Sequence, residues 1–359
     1  MKTISAADIL DISVGSVFLA TGGGGDPWVS RMLAEQVLTD RGPVQLIGPE
    51  ALPDGARVVA LGGVGAPTAS LELLPSLEDP AIAVRAFERE LNVTVDALVS
   101  FEVGGGNSLV PIQAAALLDL PVIDGDGMGR ALPEAQMMTF ALAGIPPTPA
   151  LALDYRGETK LFQSLDGEQY EPIIRAWAHS HGGMITTVEH LMTREDVASA
   201  IVPKTISFAA ALGQVIRRHE GHLKPLLREV SQLFDESLYG SVHPLCTGKI
   251  VGLEQSIQGG YDIGRVHLES FNTNTSFELL IKNEFIQLSQ GDTVLATVPD
   301  LIIALDFESG QPINAERLAY GQRICVLGIG APPHYRTADA LEVVGPSNFG
   351  LNEPYRPLS

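Results

Sequence analysis

The sequence predicts an α/β N-terminal domain with a mainly parallel sheet, followed by a mostly β C-terminal domain. In the first part of the chain, short apolar strands alternate with helices, as in a parallel sheet covered by helices. From Gly248 to Gly330, short β-branched runs are separated by Gly, Asp or Pro, as in an antiparallel β domain. The 359 residues are enough for two domains. We place them at 1–165 and 166–359, with a helical segment at about 205–234 in the second.

The N-terminal elements are predicted from caps and apolar runs. Ser5 is a good N-cap, so a helix should begin there and become β-branched and apolar, as a strand would, towards Leu19. Asp26 can cap a second helix at 28–38, and Pro27 suits its first position. The next expected elements are strands at 44–48 and 57–62, a helix at 80–91, a strand–helix–strand unit over 97–123 and a helix at 132–143.

The sequence pattern changes after about residue 150, where long helices no longer alternate with strands. Residues 151–163 and 173–190 are predicted to form short strands and turns. Residues 205–234 have helical periodicity, with a break near Glu220.

Composition and charge limit the class of protein. The hydrophobic fraction of 45% and the charged fraction of 18% are those of a soluble globular protein. A formal net charge of −20 argues against nucleic acid and anionic membranes as partners. The sequence has no apolar run of about 18 residues and no signal-like start, and Cys246 and Cys325 give no disulfide framework. We therefore expect a cytoplasmic protein, and a homo-oligomer stays open.

Residues 101–134 carry the strongest candidates for chemistry. Glu102 follows one predicted strand, and Asp124 and Asp126 follow the next. Because ligands of open parallel sheets bind at the carboxyl ends of the strands, these acids should meet at one edge. They are our candidate catalytic groups, and Asn107, Arg130 and Glu134 are candidate substrate-binding groups.

Each of these acids has an alternative role. Glu102 can act as a general base, pair with a lysine or cap the following helix. Asp124 and Asp126 can form an acid–base pair or hold a hard cation. They can equally form an Asx turn that caps the next helix, with Arg130 neutralising the cluster.

A run of four glycines is a second candidate site. Gly23, Gly24 and Gly25, followed by Asp26, allow close approach of a ligand to backbone amides at a helix start. The run lacks the third glycine of a dinucleotide fingerprint and the GKS or GKT of a phosphate loop, so no nucleotide cofactor is expected. A strand-to-helix turn without a ligand is the alternative.

Two further groups are weaker. His179 and His181 would share a face of a strand and could hold a divalent metal, although no third ligand is fixed by spacing. Asn283 and Glu284 interrupt an apolar strand, so they either face solvent or form a polar wall.

Taken together, the motifs resemble one family. TGGGGDP, FEVGGGNSLVPIQAAALLDLPVIDGDGMGRALPE, CTGKI, YDIGRV, IKNEF, ATVPDLI, YGQR and VGPSNFG are similar, in order and spacing, to the S-methyl thiohydantoin desulfurase family over nearly the whole chain. The resemblance implies an α/β domain followed by a β-rich domain, and relatives encoded beside hydantoinase and oxoprolinase genes. It also implies a thiohydantoin-type ring as the substrate.

The leading hypothesis is therefore a hydrolase that converts a thiohydantoin-type ring to a hydantoin with release of a thiol. One of the three carboxylates would activate water, and the amides of Gly23–Gly25 would bind the ring carbonyl. Arg130 would hold a substrate carboxylate or tune the acids, and Asn107 and Asn283 would contact the ring. The alternatives are a hydantoinase-like cyclic amide hydrolase and a non-catalytic metabolite-binding subunit of a hydantoinase system.

Overall fold

The computed structural model describes residues 2–66, 69 and 73–358. The described helices are α1 (Ala6–Leu19), α2 (Trp28–Arg41), α3 (Asp79–Leu91), α4 (Val110–Leu118), α5 (Thr139–Leu142), α6 (Gly167–Ser180), α7 (Arg194–Ala200), α8 (Thr205–Arg218), α9 (Leu223–Asp235) and α10 (Ala338–Val344). The strands are β1 (Thr3–Ile4), β2 (Val44–Ile47), β3 (Arg57–Gly65), β4 (Ala97–Ser100), β5 (Val122–Asp126), β6 (Ala150–Leu153), β7 (Thr159–Phe162), β8 (Met184–Thr193), β9 (Val202–Pro203), β10 (Val242–Gln258), β11 (Tyr261–Ser270), β12 (Ser276–Lys282), β13 (Glu284–Gln290), β14 (Thr293–Thr297), β15 (Leu301–Asp306) and β16 (Arg323–Ile329).

The predicted fold class is confirmed. Four neighbouring parallel strands, in the order β2-β5-β4-β3, form the centre of the N-terminal α/β sheet. Antiparallel strands extend it, with β1 beside β2 and β8, β6 and β7 beyond β3. Because β3, β4 and β5 are adjacent and parallel, the segments that follow them emerge at the same edge, where open sheets of this kind bind ligands.

Two helices pack closely over this sheet because each has a glycine at the crossing point. A Cβ on Gly15 of α1 would lie 1.9 Å from the Ala209 carbonyl oxygen of α8. A Cβ on Gly213 of α8 would lie 1.8 Å from the carbonyl oxygen of Asp11. This close contact places the end of α1, and the glycine run that follows it, against the sheet.

The second sheet has seven antiparallel strands in the order β14-β13-β12-β11-β10-β16-β15. At the tight turn between β12 and β13, Asn283 has a left-handed backbone with φ of 57°. Glu284 comes directly after this turn, and the Phe285 N–H donates to the Thr21 carbonyl at 2.7 Å. The hairpin therefore delivers Glu284 to the carboxyl edge of the first sheet.

Three local predictions are wrong. The strand-like end of the first helix is helical, because α1 buries most of its residues and a buried apolar run does not separate helix from strand. The glycine run therefore follows a helix and not a strand.

The predicted helix at 132–143 is mostly irregular, with a 3-10 turn at Ala135–Met137 and only α5 helical, and it forms part of a cavity wall. Residues predicted as strands within 173–183 belong largely to α6, which continues through Pro172.

Candidate active site

A small cavity lies where the carboxyl edge of the first sheet meets the β12–β13 hairpin. Its volume is about 70 Å³. Glycines at the end of β3 and in the glycine run form part of its wall, and Phe101, Leu132, Met138, Ile174 and Met184 supply apolar surface. We call this space the inner cavity.

Three of the five described glutamates that line the inner cavity have an oxygen free of hydrogen bonds. Glu102 follows β4, Glu189 lies on β8 and Glu284 begins β13. In the described part of the chain, the Oε2 atoms of all three are buried and have no hydrogen-bond partner. Three carboxyl groups with unfilled hydrogen-bonding capacity therefore face a space of a few atoms.

Burial makes these carboxyl groups weak acids. Burial raises the pKa of Glu102 to about 8, against a lowering effect from the Asn107 hydrogen bond. Burial also raises the pKa of Glu189 to about 7, although the Tyr170 hydroxyl lowers it. The pKa of Glu284 lies well above its usual value, because of burial and then the nearby charge of Glu102. Near neutral pH the cavity can therefore both donate and accept protons.

Glu102 is held by a network that joins β3 to β4 and to the segment that follows β4. Its Oε1 accepts from Asn107 Nδ2 at 2.6 Å, and Asn107 Oδ1 accepts from the Gly63 N–H at 2.7 Å. The Ser100 hydroxyl donates to the Glu102 carbonyl at 2.6 Å. The backbone and one oxygen of Glu102 are thus fixed while Oε2 points to open space.

The glycine run joins the two sheets. Every carbonyl from Thr21 to Gly25 accepts a hydrogen bond from outside the run. The donors are Phe285 N to Thr21, Ala315 N to Gly22, Asn314 Nδ2 to Gly23, Asn107 N to Gly24 and Gly106 N to Gly25. A Cβ on Gly23 would lie 2.0 Å from Glu284 Oε1, so glycine is required where Glu284 passes.

The amides of the run are not equivalent. The Gly23 N–H already donates to the Ala20 carbonyl at 2.9 Å. Gly24 and Gly25 line the inner cavity. Of the three amides predicted to bind a ring carbonyl, those of Gly24 and Gly25 are therefore the better placed.

A buried ion pair closes one side of the inner cavity. Glu171 and Arg175 lie one turn apart on α6, and Glu171 Oε1 accepts from the Arg175 Nε at 2.9 Å and from Nη2 at 2.7 Å. Arg175 also donates to the carbonyl oxygens of Gly65, Pro133 and Gly260. These bonds use all five N–H groups of the guanidinium, so Arg175 is a brace and has no donor left for a ligand.

Asp124 and Asp126 lie outside the inner cavity. Asp124 Oδ1 accepts from the Ser207 N–H in the first turn of α8 at 3.0 Å. Asp126 is fully buried, and its Oδ2 accepts from the N–H groups of Val103, Met128 and Gly129 at 2.8, 3.0 and 2.7 Å. Burial raises the pKa of Asp126 to about 7. By holding Val103, Asp126 positions the loop that carries Glu102.

Arg130 is also fully buried and does not line the inner cavity. Its guanidinium donates to the carbonyl oxygens of Ala131, Pro299 and Asp300 and to the Thr21 hydroxyl. It therefore ties the loop after β5 to the C-terminal sheet. Its charge lowers the pKa of both Glu284 and Glu102.

The remaining polar candidates lie at the rim. Glu134 pairs with the Lys282 ammonium and lines the inner cavity. Asn283 also lines it, but its Oδ1 is already bound by the Asp262 N–H at 2.8 Å. Asp26 lies farther out, where its Oδ1 accepts from the Trp28 N–H at 2.8 Å and its carboxylate pairs with an arginine.

The predicted histidine pair does not lie on a strand. His179 is in the last turn of α6 and His181 follows the end of this helix. The His181 ring stacks on Trp177 with a centroid separation of 4.1 Å. Asp154, Glu158 and His181 each place one potential metal-ligand atom within 4.8 Å of the others, and His179 is not in this group.

Sequence reasoning missed Glu189 and its partner Tyr170. The Tyr170 hydroxyl donates to Glu189 Oε1 at 2.7 Å, and both side chains are fully buried. A signal was present, because Glu189 lies inside the apolar, β-branched run of β8 where a charged residue is rarely buried without a role. We did not recognise this signal, because residues 173–190 were predicted as a series of short strands and turns and the single long strand β8 was not identified.

Family profiles match almost the whole chain. Residues 7–164 match the S-Me-THD-like N-terminal domain, and residues 165–358 match the S-Me-THD-like C-terminal domain. The chain belongs to the S-Me-THD-like family. The resemblance seen in the motifs is therefore confirmed, and the inner cavity of this S-Me-THD-like protein lies between segments of both matched domains.

A solved structure shows the same fold. The crystal structure of a protein from Chromobacterium violaceum, a structural genomics target, has a TM-score of 0.86 to this S-Me-THD-like chain at 22% identity, covering 100% of both chains. A comparison with curated proteins finds no match. Among the helices of the described residues, none is long and apolar enough to cross a membrane.

Proposed function

We propose that the protein hydrolyses a thiohydantoin-type ring to a hydantoin and releases a thiol, with its chemistry in the inner cavity. The observation that carries this proposal is the group of three buried glutamates, each with a free oxygen, around a space of about 70 Å³. An apolar cavity of about 150 Å³ admits one benzene molecule. A space of about 70 Å³ therefore holds the reacting side of a five-membered ring, and the rest of the ligand extends into the adjoining space.

The polarity of the site suits a cyclic thio-ureide. Such a ring alternates N–H donors with oxygen and sulfur acceptors, and carboxyl groups in both protonation states can bind it. The apolar wall includes Met128, Met138 and Met184, whose thioethers are soft and adapt to a sulfur substituent. The family name points to the same ring.

Glu102 and Glu284 take complementary roles in this proposal. Glu102, with a pKa of about 8, can accept a proton from water in its ionised form, which becomes the major form as the pH rises past about 8. Glu284, whose pKa lies well above its usual value, keeps its proton and can donate it to the departing sulfur. Glu189 offers its free oxygen to a ring N–H, while Tyr170 holds its other oxygen.

The bonds balance with water as the only co-reactant. The water oxygen bonds to the ring carbon that bears the S-methyl group, and one water proton passes to Glu102. The carbon–sulfur bond breaks, and methanethiol leaves with the proton of Glu284. The remaining hydroxyl proton moves to the ring nitrogen as the new carbonyl forms, and proton transfer from Glu102 to Glu284 restores the starting state.

Product analysis tests the proposal. The purified protein is incubated with an S-methyl thiohydantoin and, separately, with the corresponding hydantoin, and the products are identified by mass spectrometry. We expect methanethiol and intact hydantoin from the first substrate and no reaction of the second. A ring-opened ureido acid from either substrate would instead indicate a hydantoinase-like activity, and binding without any product would indicate a metabolite-binding subunit.

A cytoplasmic location is part of the proposal. Cys246 and Cys325 are both free thiols, which suits a reducing compartment.

A further inference from the structure

A second cavity adjoins the inner cavity. Its volume is about 280 Å³, and we call it the outer cavity. The two spaces share five lining residues: Gly24, Gly25, Gly63, Asn107 and Met184. Because three of the five are glycines, little side-chain volume separates the spaces. A ligand in the inner cavity can therefore extend into the outer one.

The two cavities differ in size in a way that divides a substrate into two parts. The inner cavity, at about 70 Å³, holds only the reacting side of a five-membered ring. An apolar cavity of about 150 Å³ admits a benzene molecule. The outer cavity, at about 280 Å³, therefore has room for an aromatic or branched aliphatic group.

The two cavities also differ in chemistry. Three glutamates with free oxygens line the inner cavity. In the described part of the chain, the outer cavity has one acid of this kind, Asp154, and most of its wall is apolar: Trp28, Leu73, Leu74, Leu153 and Ile185. Trp28 and Leu74 are 56% and 64% exposed, so large apolar side chains of this wall are open to solvent. A ligand group that covers them gains from removing this surface from water.

Charge in the outer cavity excludes acidic groups. Asp26, Asp79 and Asp154 line it, against the single cation Arg317 in the described part of its wall. Arg317 is already paired with Asp26. A carboxylate on the ligand would therefore meet unbalanced negative charge, and a neutral group would not.

We propose that the outer cavity binds a neutral apolar substituent, aromatic or branched aliphatic, on the ring carbon next to the carbonyl of the substrate. The class of substrate is then a thiohydantoin derived from a large apolar amino acid. This inference rests on the proposed function for the identity of the ring, and on the paired cavities for the substituent.

A substituent series tests the inference. kcat/KM for thiol release is measured for S-methyl thiohydantoins that carry methyl, isobutyl, benzyl, carboxymethyl or aminobutyl groups. We expect the isobutyl and benzyl compounds to exceed the methyl compound by roughly tenfold or more, because each methylene in an apolar pocket contributes about 10- to 200-fold. The carboxymethyl compound should be the poorest. Equal values across the series, or a preference for a charged group, would overturn the inference.

Two exposed aromatic residues give matched variants. Trp28 lines the outer cavity, whereas Tyr320, which is 72% exposed, lines neither cavity. In Trp28→Ala the ratio of kcat/KM for benzyl over methyl should fall roughly tenfold, because part of the apolar wall is removed. Tyr320→Ala should leave the ratio unchanged. An unchanged ratio in Trp28→Ala would contradict the assignment of the substituent to this cavity.

A binding measurement separates failure of this inference from failure of the proposed reaction. 5-Benzylhydantoin and 5-methylhydantoin are titrated into the protein by calorimetry, which needs no turnover. Tighter binding of the benzyl compound by roughly tenfold, lost in Trp28→Ala, supports the substituent site even if no thiol is released. Equal affinities overturn the substituent site alone, and no binding of either compound overturns both the ring class and the site.

Discussion

Glu102 and Asp126 lie at the ends of neighbouring parallel strands, and burial raises the pKa of both. Their surroundings differ. Asp126 Oδ2 binds three backbone N–H groups, and its Oδ1, although without a partner among the described residues, is buried away from the inner cavity. Glu102 has one oxygen held by Asn107 and the other free beside the inner cavity. A buried acid near a sheet edge can thus either hold the loops in place through their backbone N–H groups or face the ligand.

The two buried arginines also support the fold. Arg130 and Arg175 are bound to backbone carbonyls and act as braces. The glutamates with free oxygens are therefore the groups available to a ligand. The following predictions test this separation between acids that support the loops and acids that face the cavity.

The largest effect is expected for the glutamates of the inner cavity. Glu102→Gln and Glu284→Gln should each lower kcat for thiol release by roughly 10²- to 10⁴-fold, because an amide cannot carry the proton. The melting temperature should not fall, since each variant removes a buried ionisable group. Turnover within a few fold of the wild type in both variants would show that the chemistry lies elsewhere.

A large effect of a different kind is expected for Asp126. Asp126→Ala leaves three buried N–H groups without an acceptor, so unfolding free energy should drop by about 3 kcal/mol or more in chemical denaturation. Asp126→Asn keeps an oxygen at this position and is the matched control, with a smaller loss. If Asp126→Ala were as stable as the wild type but inactive, Asp126 would be a catalytic residue and not one that holds the loops.

The pH dependence of kcat/KM is expected to follow Glu102. The base must be unprotonated to accept a proton, and its pKa is raised to about 8. kcat/KM should therefore rise about tenfold per pH unit towards pH 8 and then level off. Because Glu102 and Glu284 influence each other, the midpoint belongs to the pair. A profile already flat from pH 5 upward would argue against a buried base.

The smallest effect is expected for Asp124. Its Oδ1 accepts one N–H at the start of α8. Asp124→Asn keeps this acceptor, so the loss of stability should be below about 1 kcal/mol and thiol release should stay close to that of the wild type. A loss comparable to that of Glu102→Gln would restore Asp124 as a catalytic candidate.

The sequence was enough to predict the parallel strands that lead to the site, but not which of their acids line the cavity. The strand ends that carry Glu102 and Asp126 follow from apolar runs and glycine turns, and both acids were identified there. Which acid faces a cavity depends on one hydrogen-bond network around Asn107, and such a network is not encoded in local periodicity. Glu189 was missed because β8 joins the sheet from a distant part of the chain.

The glycine run shows a further limit of local reasoning. Its glycines suggested a ligand loop, yet Gly22 and Gly23 are required by contacts with Phe285 and Glu284, more than 250 residues away in the sequence. Only the assembled sheets reveal this contact. Gly24 and Gly25 do lie on the cavity wall, and their binding of a ligand stays a prediction.

The most direct test of the account is the titration of the Glu102 carboxyl group by difference infrared spectroscopy, comparing the wild type with Glu102→Gln between pH 5 and pH 9. We predict a protonated carboxyl signal that is absent from the variant and disappears with a midpoint of about pH 8. A signal already lost at pH 5, or no difference between the two proteins, would contradict a buried proton-transfer group at this position.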